Sequence, residues 1–356
     1  MGQSIITGTG ACIPSVIREN SDFYTQQFFD ENKIALKQSP QVIVEKFRQI
    51  TGIQARRYAP EELLTSDLAT QAGEAAIADA GIDRETIDLI IVAHNFGDIH
   101  SGEHQSLCVP AVAARVKQGL KIQNPGCIAF DLLFGCPGWV QGVITAHAYF
   151  KAGLARCALV IGAETLSRVI EPFDRDSMIF GDGAGAAILQ YRETDVEQGI
   201  LAVGSRTDAL QEVDYINMGP SYNPELQEST RYVKMQGRKV YEYAMTYVPA
   251  AMKACLDQCG AHIEDLKMVF IHQANEKMDE GIIRRLYQLY GKTEIPEHIM
   301  PMSIHWLGNS SVATVPTLID LVKKTALPGY TLESGDLILL ASVGSGMHIN
   351  AICYRW

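Results

Sequence analysis

Cys136 is followed directly by Pro137, and proline is favoured at the first position inside a helix. The pair predicts Cys136 as the N-cap of a helix running to Lys151, with its sulfur at the positive end of the helix dipole. Such a setting is expected to lower a thiol's pKa. A free thiol titrating near 8.5 is only about 3% thiolate at pH 7, and a shift to about 7 would raise the nucleophilic fraction roughly fifteenfold. The other seven cysteines, at positions 12, 108, 127, 157, 255, 259 and 353, have no comparable context. Cys157 and Cys353 lie in or beside apolar strands, and Cys255 and Cys259 sit one helical turn apart, so they read as core filler. Eight cysteines without a CxxC pair are too dilute for a disulfide scaffold, and a reducing cytoplasm is the expected compartment.

A nucleophilic thiol needs a base. His147 lies eleven residues along the same helix, about 16 Å of rise, so it is expected to be structural. His272 is better placed: it ends the apolar run Met268 to Ile271 and precedes a polar turn and a helix, where parallel sheets expose functional groups. Asn309 follows Gly308 at the start of a helical pattern, and its residue type alone reads as a cap. Two glycine clusters imitate nucleotide sites without their context. Gly181 to Ala186 leads into a strand rather than a helix, and Gly8-Thr9-Gly10 is followed by Ile13-Pro14. His100 and His104, near Asp98 and Glu103, read as a solvated loop, and no metal is expected.

The elements that must position these groups alternate short apolar runs with longer amphipathic ones, the pattern of an α/β fold with buried sheets. Strands are expected at Ser4 to Thr7, Leu89 to Ala93, Ala158 to Gly162, Ala184 to Tyr191, Ile200 to Ser205, Met268 to Ile271, Leu337 to Ala341 and Ile349 to Tyr354. Helices are expected over Leu68 to Ala80, Pro110 to Gln118, Pro137 to Lys151, Val240 to Cys259, Lys277 to Tyr290 and Ser311 to Thr325. LIIVAHN (89–95) is echoed by MVFIHQAN (268–275), which points to two similar halves, 1–195 and 196–356, divided in the polar stretch Arg192 to Gly199. With 356 residues, 47% of them hydrophobic, the chain can fill more than one core. Its 41 acidic against 30 basic side chains argue against a non-specific hold on nucleic acid or on an anionic membrane. No apolar run approaches the roughly 18 residues of a spanning helix.

Taken together, AFDLLFGCPGW around Cys136, IFGDGAGAAIL (179–189), FIHQAN (270–275) and GNSSVATVPTLIDL (308–321) resemble the β-ketoacyl-acyl carrier protein synthase III family. These are condensing enzymes of the thiolase superfamily. The resemblance runs in order from IITGTGACIP to VGSGMHINAICYRW. It implies an α/β thiolase fold, two similar halves in a five-layered αβαβα arrangement, as a homodimer. It implies that Cys136 is the acyl-accepting nucleophile, with His272 and Asn309 completing a Cys-His-Asn set, and backbone N–H groups of Cys136 and Ser345 as the oxyanion hole. The implied reaction takes an acyl group from coenzyme A or a carrier protein and condenses it with malonyl-acyl carrier protein, in fatty acid or related secondary-metabolite biosynthesis. No cofactor is implied beyond these thioester substrates. By the same resemblance Arg175 lies near the adenine end of coenzyme A, Asn275 lines the pantetheine tunnel, and Val109 stands in the acyl pocket where a bulky phenylalanine often limits chain length. Lys277, Arg284 and Arg285 would meet the acidic carrier protein.

The chain departs from the family's habit in places. Lys46 and Ile50 stand where a tryptophan and an arginine often hold coenzyme A, and Arg238, Tyr241 and Glu242 replace an Asn, Phe and Lys. The stretches Phe23 to Val44 and Asn95 to Gln105 are longer. A specialised relative that prefers an acyl or aryl group other than acetyl is therefore expected. Two other readings share the Cys, His and Asn: acyl transfer without condensation, and a papain-like cysteine protease. The protease reading fits poorly with 135 residues of α/β pattern before the cysteine.

Overall fold

The computed structural model describes residues 2–226 and 229–356. In chain order its strands are β1 (Gly2–Cys12), β2 (Val16–Glu19), β3 (Ala55–Tyr58), β4 (Leu89–Ala93), β5 (Ile128–Leu132), β6 (Cys157–Glu164) and β7 (Gly183–Glu193). They continue with β8 (Gly199–Thr207), β9 (Ile216–Gly219), β10 (Tyr232–Met235), β11 (Leu266–Ile271), β12 (Leu337–Gly344) and β13 (His348–Arg355). The helices are α1 (Pro40–Thr51), α2 (Thr65–Ala80), α3 (Val112–Gly119), α4 (Gly138–Lys151), α5 (Gly237–Gln258), α6 (Glu276–Leu289), α7 (Ile304–Leu307) and α8 (Thr314–Lys323).

Two sheets carry the architecture. The first has the order β1-β7-β6-β4-β5, with β4 parallel to both β5 and β6; the second has the order β11-β12-β13-β8, with β11 parallel to β12. The helix pair α4 and α8 lies between them, because both helices bury apolar side chains toward both sheets. Trp139, Val143, Leu318 and Ile319 share one core with Ile91 and Val160 of the first sheet and Phe270 and Leu340 of the second. Every residue of α8 from Thr314 to Val322 is buried, as expected of a central helix. By contrast α6 buries only one stripe, including Met278, Ile282, Ile283 and Leu286, and packs with α5 on the outer face of the second sheet. Helices α2 and α3 cover the outer face of the first. Five layers result, α2/α3, sheet, α4/α8, sheet, α5/α6, the arrangement of the thiolase fold.

The expected strand Leu89 to Ala93 coincides with β4, and each of the other seven falls inside a strand of the structure that is longer at one or both ends. The first sheet draws on strands up to Glu193 and the second on strands from Gly199. Three readings are corrected. The segment after Asn309 is not one helix: a 3-10 turn, Ser311–Ala313, precedes α8. Strands β2, β3, β5, β9 and β10 and helices α1 and α7 were not anticipated. Cys136 is not the helix cap: Pro137 holds that position and the helix begins at Gly138. The long stretch after Phe23 wraps onto the body, where Phe28 and Val44 pack with Met178 and Ile304.

Candidate active site

The five-layer stack brings the ends of β5, β11 and β12 to one place, and the loops leaving them carry polar groups to it. Cys136 sits in the loop between β5 and α4. β12 ends against that loop, and Gly344 permits the contact: a Cβ there would stand 2.5 Å from the Cys136 backbone nitrogen. His272 directly follows β11, and its N–H donates to the Ala341 carbonyl of β12 at 2.9 Å, so the strand ladder holds its backbone. Asn309 is clamped by its own backbone. Its N–H donates to the Ile179 carbonyl at 2.9 Å and its carbonyl accepts from the Gly181 N–H at 2.8 Å.

All three side chains line one cavity of about 380 Å³. Its walls are mostly apolar, with Leu166, Phe180, Val233, Met235 and Val343 among them. Asn309 turns its Oδ1 away to accept the Ser311 N–H at 2.8 Å, which leaves its two amide protons without a partner among the described residues. That is the orientation of a donor.

The protonation states follow from burial. Cys136 is half-buried by exposed area, yet its thiol is ringed by protein, and burial pushes it up to about 11 while the Ser311 side chain pulls the other way. The expected lowering is therefore overturned. The helix starts two residues further on, so its positive end stands back from the sulfur, and the water lost around a thiolate costs more than the dipole returns. Burial likewise pushes His272 down to about 4, against the opposing effect of the Ser311 backbone. Its Nδ1 is buried without a hydrogen-bond partner. At neutral pH the cavity thus holds a neutral thiol and a neutral imidazole.

Three further groups border this set, and the sequence had given none of them a role, although Asn95 ends LIIVAHN and Ser311 lies within GNSSVATVPTLIDL. Ser311, held at a φ of 52°, places its hydroxyl to accept from the Asn95 amide at 3.0 Å. The same amide donates to the Glu164 carboxyl at the end of β6. Glu164 is 2% exposed, and burial pushes its pKa up to about 8, so it is protonated at neutral pH. His348 also lines the cavity. Spacing in the sequence could not reveal these contacts, because the pairing of β4 with β6 brings Asn95 to Glu164 and the 3-10 turn after Asn309 brings Ser311 to both.

Other expected residues fall elsewhere. Ser345 lines the cavity beside Gly344. Asn275 caps α6, accepting the Met278 N–H at 3.1 Å, and Ala274 rather than Asn275 reaches the wall. Arg175 borders a separate surface cleft shared with Asp30, Glu31 and Asp176, and pairs with Asp176 at 3.6 Å. Met235 lines both cleft and cavity. Val109 is 89% exposed and does not reach the cavity of its own chain. Lys277, Arg284 and Arg285 stand on the exposed face of α6, the helix whose Met278 closes the cavity, and none forms an ion pair among the described residues. His147 is structural, bonded through Nδ1 to the Ser4 hydroxyl at 2.7 Å. No cluster of metal-ligating side chains occurs among the described residues.

Comparison with known proteins bears on this geometry. Residues 130–209 match the family model of 3-oxoacyl-[acyl-carrier-protein] synthase III, and residues 256–356 match the model of its C-terminal part. The chain is 31% identical to a β-ketoacyl-[acyl-carrier-protein] synthase III of Ruegeria pomeroyi, covering 100% of this chain and 99% of the relative. It is 32% identical to that of Erythrobacter litoralis over the full length of both. The crystal structure of 3-oxoacyl-(acyl carrier protein) synthase III from Pseudomonas aeruginosa superimposes with a TM-score of 0.81 at 27% identity, covering 99% of this chain and 98% of the other.

Proposed function

The chain belongs to the β-ketoacyl-acyl carrier protein synthase III family, and from that premise we propose that Cys136, His272 and Asn309 perform its condensing reaction in two stages. The observation that carries this reading is the convergence of a thiol, an imidazole and an outward-facing carboxamide on one apolar cavity. Membership of a condensing family sets aside the papain-like reading.

In the first stage the Cys136 sulfur attacks the carbonyl of an acyl thioester. A thiol pushed up to about 11 is not ionised at rest, so its proton passes to the neutral His272 ring as the S–C bond forms. Collapse of the tetrahedral intermediate breaks the old thioester, and the departing thiolate takes that proton. Backbone N–H groups at Cys136 and Ser345 stabilise the oxyanion, at about 3 kcal/mol per donor. In the second stage malonyl-acyl carrier protein loses carbon dioxide. The electron pair of the broken C–C bond becomes an enolate, whose oxygen is held by a ring N–H of His272 and the free amide protons of Asn309. The enolate carbon attacks the Cys136 thioester, a C–C bond forms, the C–S bond breaks, and the released thiolate is protonated. A carboxamide suits the third position because a carboxylate would repel the enolate. The chemistry needs no cofactor beyond its thioesters.

The wider setting belongs to the same proposal. The enzyme is an acyltransferase of the cytoplasm, working as a homodimer on carrier-protein substrates. The open edge of β5, with Ile128 54% and Leu133 66% exposed, supports the dimer, as does the exposed Val109. There Val109 would reach the partner's acyl pocket. The cationic face of α6 supports docking of an acidic carrier protein. The acyl donor is a carrier protein or coenzyme A, with Arg175 and its cleft next to the adenine in the second case. Mass spectrometry of the protein after incubation with acyl thioesters, with carbon dioxide release from malonyl-carrier protein measured in parallel, tests the reading. Cys136→Ala is expected to abolish acyl labelling. His272→Ala and Asn309→Ala are expected to retain measurable labelling and lose decarboxylation. Labelling that survives Cys136→Ala would refute it.

A further inference from the structure

The two-stage reaction uses one imidazole, and the cavity has a second. His348 opens β13, and its ring stacks on Phe134 with centroids 4.0 Å apart and planes 15° from parallel. Phe134, two residues before Cys136, lines the same cavity as Cys136 and His348, so a chain tethered to the sulfur starts in the cavity this ring faces. The ring is also oriented. Its Nδ1 is bonded to the Thr207 hydroxyl at 2.8 Å, across the β8–β13 pairing that sets His348 opposite Thr207.

That leaves Nε2, which has no hydrogen-bond partner among the described residues. Gly346, at a φ of 74°, lets the backbone pass close to this edge of the ring, where a Cβ would stand 2.5 Å from Nε2. Gly346 and His348 both line the cavity that holds Cys136. His348 is only half-buried, so water can complete Nε2 in the free enzyme, and a substrate oxygen entering the mostly apolar cavity would take that water's place. Burial also pushes the imidazole pKa down, so the ring faces the cavity uncharged at neutral pH. An uncharged imidazole suits a neutral oxygen, whereas a carboxylate would call for a cation.

Resting on the Cys136 reading above, we infer that His348 is a specificity-determining residue whose Nε2 hydrogen-bonds an oxygen carried by the acyl group near its thioester end. The substrate class is then an acyl thioester bearing a keto or hydroxyl oxygen, rather than a plain saturated acyl chain. With the Thr207 hydroxyl donating to Nδ1, Nε2 carries the proton and donates to either oxygen. With the other tautomer Nε2 accepts, and only a hydroxyl fits.

The test is acylation of Cys136 in the full-length enzyme by pantetheine thioesters of one chain length in three forms: saturated, 3-hydroxy and 3-oxo. Initial rates are followed by intact mass. The wild type is expected to prefer an oxygenated thioester by about tenfold in kcat/KM, the scale of one hydrogen bond in a desolvated site. His348→Phe keeps the stacked ring and is expected to bring that ratio to near one. Thr207→Val, at an exposed position, frees the ring to turn and is expected to lower the ratio without removing the imidazole. A preference for one of the two oxygenated probes identifies the tautomer. Labelling of Cys136 with no preference in the wild type, or a preference that survives His348→Phe in a folded protein, overturns this inference and leaves the Cys136 reading standing. No labelling of Cys136 by any probe overturns both.

Discussion

At the scale of single residues, burial decides the chemistry. Asn309→Asp keeps the shape of the donor and reverses its charge, so condensation is expected to fall by about a hundredfold or more, while acylation of Cys136, measured by mass, falls less. Burial also makes stability depend on pH with two opposite signs. His272 titrates near 4 folded and near 6.5 unfolded, so between those values the unfolded chain binds the extra proton and stability falls as pH falls. That loss is of order 3 kcal/mol across the window, and on going from pH 7 to pH 4 urea denaturation is expected to show the wild type changing by that much less favourably than His272→Asn, the opposing Glu164 effect being common to both. Glu164 runs the other way. Titrating near 8 folded and near 4.5 unfolded, it weakens the fold as pH rises between those values, and Glu164→Gln is expected to flatten stability between pH 6 and pH 9. The nomination of Cys136 and His272 was available from residue type and position at the ends of apolar runs, and that of Asn309 as a third member from the family resemblance. The direction of the thiol's shift was not, because it depends on how completely protein surrounds the sulfur. Nor was the Glu164–Asn95–Ser311 contact, whose members lie far apart in the chain and meet through the pairing of β4 with β6 and the turn after Asn309.

At the scale of elements, the site depends on strands ending in register. Gly344 lets β12 close onto the Cys136 loop, and Gly344→Ala would place a Cβ against backbone that cannot swing aside. The variant is expected to lower the acylation rate more than about tenfold through displacement of the thiol, with a lowered melting temperature in the same preparation. Most core strands were legible because continuous apolar runs such as Leu89–Ala93 and Leu337–Gly344 are buried along their whole length. β5 was not: Asp131 interrupts its apolar run to bond the Val112 and Ala113 N–H groups of α3, and its edge position leaves it half exposed. Helix α1 hid for a related reason, since its buried Ile43, Val44 and Phe47 pack against a satellite core rather than the main layers.

At the scale of the whole molecule, the chain is acidic overall, with 41 acidic against 30 basic residues, and α6 presents Lys277, Arg284 and Arg285 outward from a helix that also walls the cavity. Changing all three to Glu is expected to raise KM for carrier-protein substrates about tenfold at low salt and to leave pantetheine thioesters unaffected, as steady-state kinetics would show. The two-halved, five-layered plan was legible from the echo of LIIVAHN in MVFIHQAN and from the family resemblance. The second imidazole facing the cavity was not: the β12–β13 turn carries His348 to the cavity and the pairing with β8 orients its ring, neither of which its residue type announces. The account as a whole stands on Cys136 carrying the acyl group that is then condensed. A single-turnover chase tests this: enzyme acylated with a labelled thioester and freed of excess donor is mixed with malonyl-carrier protein. The label is expected to leave Cys136 as a β-ketoacyl thioester, with one carbon dioxide released per label transferred. Release of the label as a free acid, or its persistence on Cys136 while product accumulates, would contradict the account.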